Sequence, residues 1–176
     1  VHPSLQNPAW SPSGDAILLT AFRSGYNVEP ADLLVFDVGS STVRTLIAEG
    51  SGNVNLPGSS WNAATGQIVF SSSRPPHDEI FVVDASGAPG DERLVTMRVD
   101  QVAYEPTLSP DGQWVAFESH PLDVETQGVI TKYRLDGSSA YLALTAAADD
   151  CRQPNWSPDG ALILYQRFVG GRWTLW

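Results

Sequence analysis

The chain has 176 residues and a formal net charge of -10 at pH 7; 17% of its side chains are charged and 10% aromatic, with 15 Gly, 13 Pro and one Cys. This size and composition suit a single folded domain of many short strands and tight turns, not a disordered chain. The acidic balance, with no local run of Lys or Arg, argues against nucleic acid as a partner and against an anionic membrane surface. No apolar run is long enough for a spanning helix, and the lone Cys151 excludes an internal disulfide.

Taken in chain order, the predicted elements fall into a repeat. "NPAWSPSGD" is followed by the strand patterns "DAILLTAF", "ADLLVFDV" and "VRTLIA". "LPGSSWNAATGQ" precedes "QIVFSSS", "DEIFVVDA" and "ERLVTM"; "EPTLSPDGQ" precedes "QWVAFES", "GVITKYRLD" and "YLALT"; "QPNWSPDGA" precedes "ALILYQR" and "RWTLW". The leading prolines, Pro8, Pro57, Pro106 and Pro154, are 49, 49 and 48 residues apart. That regularity marks an internal repeat. Counting the proline-bearing stretch as a strand gives four strands per unit, a to d, with d missing from the fourth. No segment holds a 3.6-residue period, so no helix is predicted.

The turn chemistry agrees with this division. In Ser109-Pro110-Asp111-Gly112 and Ser157-Pro158-Asp159-Gly160, proline presets the first central angle of a type I turn and glycine supplies the positive φ that follows. Proline cannot donate to a ladder and belongs on an edge strand. One edge strand per repeat is what a propeller provides, since each blade's innermost strand faces the central channel. Trp10, Trp61 and Trp156, at the end of strand a, are expected to fill the wedge between neighbouring blades, with the indole N–H free to find a carbonyl.

The phrase "PxWSPDG", followed by strands such as "ALILYQR" or "QWVAFES" and then by strands ending in Asp ("IFVVDA", "LLVFDV"), resembles the repeat of TolB-like beta-propellers. Related repeats occur in the propellers of prolyl-oligopeptidase-type peptidases. The resemblance implies an all-β propeller of four-stranded antiparallel blades, one domain over 1–176, with blades at about 1–50, 51–98, 99–148 and an incomplete 149–176. About 3.75 blades suggest an excerpt of a larger ring, a ring completed by self-association, or a self-closed ring of four blades. The same resemblance implies non-enzymatic scaffold work on a protein or peptide partner, and a periplasmic or cell-envelope location. The alternatives are the gating propeller of a serine peptidase and a metal-assisted carbohydrate-active enzyme.

Alternating strand direction puts the d-to-a and b-to-c loops on one face and the Ser-Pro-x-Gly turns on the other. The loop face carries the varied polar residues expected of a binding surface: Arg23, Tyr26, Asn55, Arg74, His77, Asp78, Glu79, Glu105, His120 and Arg152. The densest run is "SSRPPHDEIF", where imidazole and carboxylates stand close enough in sequence to raise metal ligation, though without a diagnostic spacing. Glu105 and Arg152 are candidates for an ion pair at the channel mouth. A nucleophile elbow, a phosphate loop and a His-Glu-x-x-His pattern are all missing, so neither catalytic residues nor a cofactor are expected.

Overall fold

In a computed structural model of the chain, which describes residues 4–26, 28–48, 54–55, 61–74 and 77–176, each repeat unit becomes one antiparallel sheet. The first is β1 (Ser4–Trp10), β2 (Ala16–Phe22), β3 (Ala31–Asp37) and β4 (Thr42–Ile47). The second is β5 (Val54–Asn55), β6 (Gln67–Ser72), β7 (Glu79–Asp84) and β8 (Arg93–Leu94). The third is β9 (Gln101–Leu108), β10 (Trp114–Pro121), β11 (Val129–Arg134) and β12 (Leu142–Ala143). The last has three strands, β13 (Cys151–Trp156), β14 (Ile163–Val169) and β15 (Arg172–Leu175). Strand order follows chain order in every sheet, so the architecture is an all-β partial propeller with the first strand of each unit at one edge. Among the described residues the one helical turn is a 3-10 turn at Ala147–Asp149. The outermost strands β8 and β12 are only two residues long, shorter than "ERLVTM" and "YLALT" suggested.

Strand alternation explains how the blades stack. Successive residues of a strand face opposite sides of its sheet. In the second blade, Ile68, Phe70, Phe81 and Val83 join a core with Ala9, Leu18, Leu33 and Val35 of the first. Their neighbours Val69, Ile80 and Val82 join a second core with Ala103, Leu108, Val115 and Phe117 of the third. The second blade is therefore buried on both faces, which is why "IVF" and "IFVV" read as unbroken apolar runs.

Among the described residues, Pro8, Pro106 and Pro154 each sit in a bulge as well as on an edge. Gln6 and Ala9 oppose Thr20 and Leu18, so Asn7 and Pro8 together face the single Leu19. The same two-against-one mismatch places Glu105 and Pro106 opposite Phe117, and Gln153 and Pro154 opposite Tyr165. The residues before these prolines have left-handed backbones, with φ of 51° at Asn7, 47° at Glu105 and 51° at Gln153. A residue before proline is normally extended, and the left-handed conformation costs an L-residue about 1–2 kcal/mol. The bulge imposes it, since the first bulge position of this type takes that conformation. Pro57 lies outside the described residues.

The wedge residues follow the blade order. Trp61 packs on the core shared by the first two blades, Leu108 lies in the next core, and Trp156 donates from Nε1 to the carbonyl of Thr107 in the preceding blade at 3.3 Å. Trp10 departs from the expectation and is 60% exposed, because no described blade lies on its side of the first sheet. The turns also touch from blade to blade. In the first, third and fourth turns the serine hydroxyl donates to an Asp and accepts a backbone N–H; Ser109 Oγ, for instance, lies 2.5 Å from Asp111 Oδ1 and 2.9 Å from the Trp114 amide. In the second, Asn62 replaces serine and sends Nδ2 to the carbonyl of Ser109 at 2.7 Å, across the blade boundary.

Gly112 isolates this contact. Its φ is +69°, and a Cβ there would stand 2.3 Å from Thr65 Cγ2, whereas at Gly14, with φ +75°, a Cβ would meet nothing within 4 Å. Thr65 cannot swing aside freely, because its hydroxyl bonds Asn62 Oδ1. In urea unfolding, Gly112→Ala is expected to cost roughly 1–3 kcal/mol more than Gly14→Ala. Adding Thr65→Ser, which removes the methyl and keeps the hydroxyl, should recover most of that excess. Equal losses at the two glycines would show that the turns do not bear on one another.

Candidate functional site

The loop face opens into two adjoining clefts where the second, third and fourth blades meet. The larger, about 1020 Å³, is walled by Phe81, Leu94 and Met97 from the second blade and by Val99, Val102, Tyr104 and His120 from the third, with Arg74 and His77 at its rim. The smaller, about 610 Å³, lies between the third and fourth blades and is lined by Glu105, Glu118, Glu125, Arg152, Gln153 and Trp173 among others. Tyr104, His120 and Glu125 border both. The larger is mainly apolar toward the rim, where Met97 is 75% and Val99 88% exposed. The smaller is mainly polar, with three Glu and one Arg among its lining residues.

Several residues expected to bind also brace the rim. Arg74 pairs with Glu92 at 2.7 Å and lies over the Phe81 ring. Glu79 is buried; it accepts the Thr96 hydroxyl and, at 2.6 Å, the Arg98 amide, tying β7 to the segment before β9. His77 joins this tie through Nε2, 2.5 Å from the Arg98 carbonyl and 3.2 Å from Glu79. Asp78 reaches the next blade: its carbonyl accepts the Ala103 amide at 3.0 Å and its carboxylate accepts the Tyr104 hydroxyl. Burial raises the Asp78 carboxyl above its usual range in spite of that bond, and burial with the Asp78 charge raises the Tyr104 phenol.

Other expected residues are placed elsewhere. Arg23 and Tyr26 stand on the first blade and line neither cleft. Arg23 pairs with Asp32 at 2.5 Å, and Tyr26 is 76% exposed. Asn55 opposes Ser71 in β5, and its side chain lies outside the described residues, as do Pro75 and Pro76. His120 sits on β10 itself, not in the loop after it. Arg152 directs its charge to Asp150, at 3.3 Å, and toward Glu118, at 3.8 Å, while sharing the smaller cleft with Glu105. Among the described residues no group of three or more His, Cys, Asp or Glu is arranged to hold a metal ion.

The group that sequence reasoning missed is Glu118. It occupies an inward position of "QWVAFES", where a charged residue inside an otherwise apolar strand was the available signal. It is 5% exposed, and burial pushes its carboxyl up to about 7; Arg152 and the Gln153 amide work against that rise, and Glu105 and Asp150 reinforce it. His120, 3.5 Å away, is shifted the other way: burial lowers its imidazole below the usual value and favours the neutral ring.

The chain is also similar to known proteins. The TolB beta propeller domain family matches residues 2–176. An uncharacterized protein of Agrobacterium fabrum is 27% identical over 171 residues, covering 90% of this chain and 53% of that protein. The Tol-Pal system protein TolB of Francisella tularensis subsp. mediasiatica is 26% identical over 160 residues, covering 90% of this chain and 34% of that one. Of solved structures, TolB from Acinetobacter baumannii superposes with a TM-score of 0.73 at 21% identity, over 96% of this chain and 39% of that chain. A prolyl endopeptidase superposes with a TM-score of 0.63 at 16% identity, over 93% and 25%. The chain thus spans about half or less of the length of these proteins.

The buried Glu118 makes stability depend on pH. Its folded-state value of about 7 lies above the usual 4.5, so the fold holds a proton that the unfolded chain releases. That contribution is complete below about pH 4.5 and is lost as pH rises through about 7. Glu118→Gln keeps the shape without the charge. It is expected to flatten the decline between pH 5 and pH 8 and to raise the unfolding free energy at pH 8 by on the order of 3 kcal/mol, read from urea titrations. A variant that loses stability with pH as steeply as the parent would contradict this.

Proposed function

The chain belongs to the TolB beta propeller domain family, and from that membership and the geometry of its loop face we propose that it is a non-enzymatic scaffold that holds an extended segment of a partner protein. The observation that carries the reading is the continuity of the two clefts through Tyr104, His120 and Glu125. An apolar trough that leads into a polar pocket suits a chain with one apolar anchor and one polar group, and extended segments bind with little rearrangement of a rigid frame. The rim braces at Arg74, Glu79 and His77 support this, because loops held in place lose little entropy when a ligand arrives. The opposite face offers less: its turns satisfy their own hydrogen bonds and lean on one another.

A second reading, the gating propeller of a peptidase, draws support from the likeness of fold to a prolyl endopeptidase. It uses the same channel mouth as a passage instead of a seat.

Selection of random peptides against the full chain tests the scaffold reading. Peptides that bind should lose at least tenfold in affinity when Met97→Asp and Val99→Asp are combined, since both side chains are exposed at the rim of the apolar cleft. They should be indifferent to Ser13→Lys and Asp159→Lys on the turn face. The reverse pattern would place the binding surface on the wrong side of the ring.

A further inference from the structure

Sulfur is scarce in this chain and unevenly placed, with one Met and one Cys in the whole sequence. Cys151 is fully buried on β13, and burial raises its thiol above the ordinary value, so it presents no thiolate to an oxidant. Met97 is the reverse case. It is 75% exposed on the second-blade wall of the larger cleft, two residues from the exposed Val99. The accessible sulfur of the protein therefore stands on the surface that would seat a partner.

The backbone on both sides holds Met97 there. Thr96 is buried, donates its hydroxyl to Glu79 and accepts the Ile80 amide at 2.9 Å. On the other side the Arg98 amide donates to Glu79 at 2.6 Å, and the Arg98 carbonyl meets His77 Nε2. The Met97 amide itself donates to the Tyr141 hydroxyl at 3.1 Å. With both neighbours fixed, the thioether between them stays turned out over the cleft and cannot withdraw into the core.

We propose that Met97 is an oxidation site whose conversion to the sulfoxide closes the larger cleft to its partner segment, a reversible redox switch on the binding face. This rests on the peptide-holding reading and adds a control to it. The oxidant is a two-electron oxygen donor of the peroxide class. A lone pair on the thioether sulfur attacks one peroxide oxygen, the O–O bond breaks and an S–O bond forms, and the second oxygen leaves with the proton of the first as water. Sulfur loses two electrons and the peroxide gains two. Two thiols, acting through a methionine sulfoxide reductase, return the thioether: the oxygen departs as water and the thiols join in a disulfide.

The sulfoxide weighs differently on the free and the occupied cleft. In the free chain the new oxygen lies in water, which satisfies it, so the fold tolerates it. Under a bound apolar side chain the same oxygen becomes an acceptor cut off from water. The donors around it are already used: the Met97 and Arg98 amides go to Tyr141 and Glu79, and the Arg74 guanidinium pairs with Glu92 at 2.7 Å. An acceptor buried without a partner costs roughly tenfold or more in affinity.

The test uses the full chain, hydrogen peroxide, and a library-selected peptide whose binding is lost when Met97→Asp and Val99→Asp are combined. Intact mass and peptide mapping should show one added oxygen, at Met97, gained within about threefold of the rate in the urea-unfolded chain, with Cys151 still a thiol. The oxidised chain should keep the urea midpoint of the untreated chain and bind the peptide roughly tenfold more weakly. A methionine sulfoxide reductase with dithiothreitol should restore the affinity. In Met97→Leu, peroxide should leave the affinity at its value before treatment. A Met97 that resists peroxide, an oxidised chain that binds as tightly as before, or an equal loss in Met97→Leu would overturn the switch and leave the cleft reading standing. A lowered urea midpoint alongside the lost binding would also overturn it, because the effect would then fall on the fold. If no selected peptide depended on Met97 and Val99, the cleft reading would fall and the switch with it.

Discussion

A four-stranded sheet has two faces, and an isolated blade can bury neither, so every blade here depends on its neighbour. The second blade shows this most fully: alternate residues of β6 and β7 enter opposite cores, one shared with the first blade and one with the third. Repeat proteins gain stability from such nearest-neighbour interfaces, where each unit adds its own surface and completes that of the unit before. The polar links run along the same seams. Asn62 reaches the Ser109 carbonyl, and Trp156 reaches that of Thr107.

The clefts are a product of those seams. Blades that pack tightly through their centres leave their loop ends free to diverge, and the space between the loops is walled by strands from two blades at once. The larger cleft has β7 and β8 on one side and β9 with the end of β10 on the other. The bulges contribute directly, since Glu105 and Gln153 line the smaller cleft from left-handed backbone positions that the regular ladder would not supply. The backbone device recurs with Asn, Glu and Gln in the first, third and fourth blades, so among the described residues its geometry is constant while its chemistry varies.

Much of the fold was readable in the sequence because its signals are local: a proline that cannot donate, a turn that needs glycine, an aromatic at the strand end, all at a near-constant spacing. The site was less readable because it depends on what stands across a blade boundary. "SSRPPHDEIF" drew attention to His77 and Glu79, but these pair with each other and with Arg98, whose position twenty or so residues on could not be inferred. Glu118 looked like an ordinary strand residue. Its character comes from burial between blades and from Glu105 and Arg152, which arrive on different strands. The left-handed residue before Pro8, Pro106 and Pro154 was hidden for a different reason: local rules favour an extended backbone there, and only the strand pairing reveals the bulge.

Constant seams carrying variable loop ends make a frame suited to presenting side chains at set positions on one side of the ring. Hydrogen exchange of the chain, alone and saturated with a peptide selected for binding, measures this most directly. The account predicts slowed exchange at 97–105, 118–126 and 151–153, with residues 11–15, 62–66, 109–113 and 157–161 unchanged. Protection concentrated in those turn segments, with the cleft strands unaffected, would contradict it.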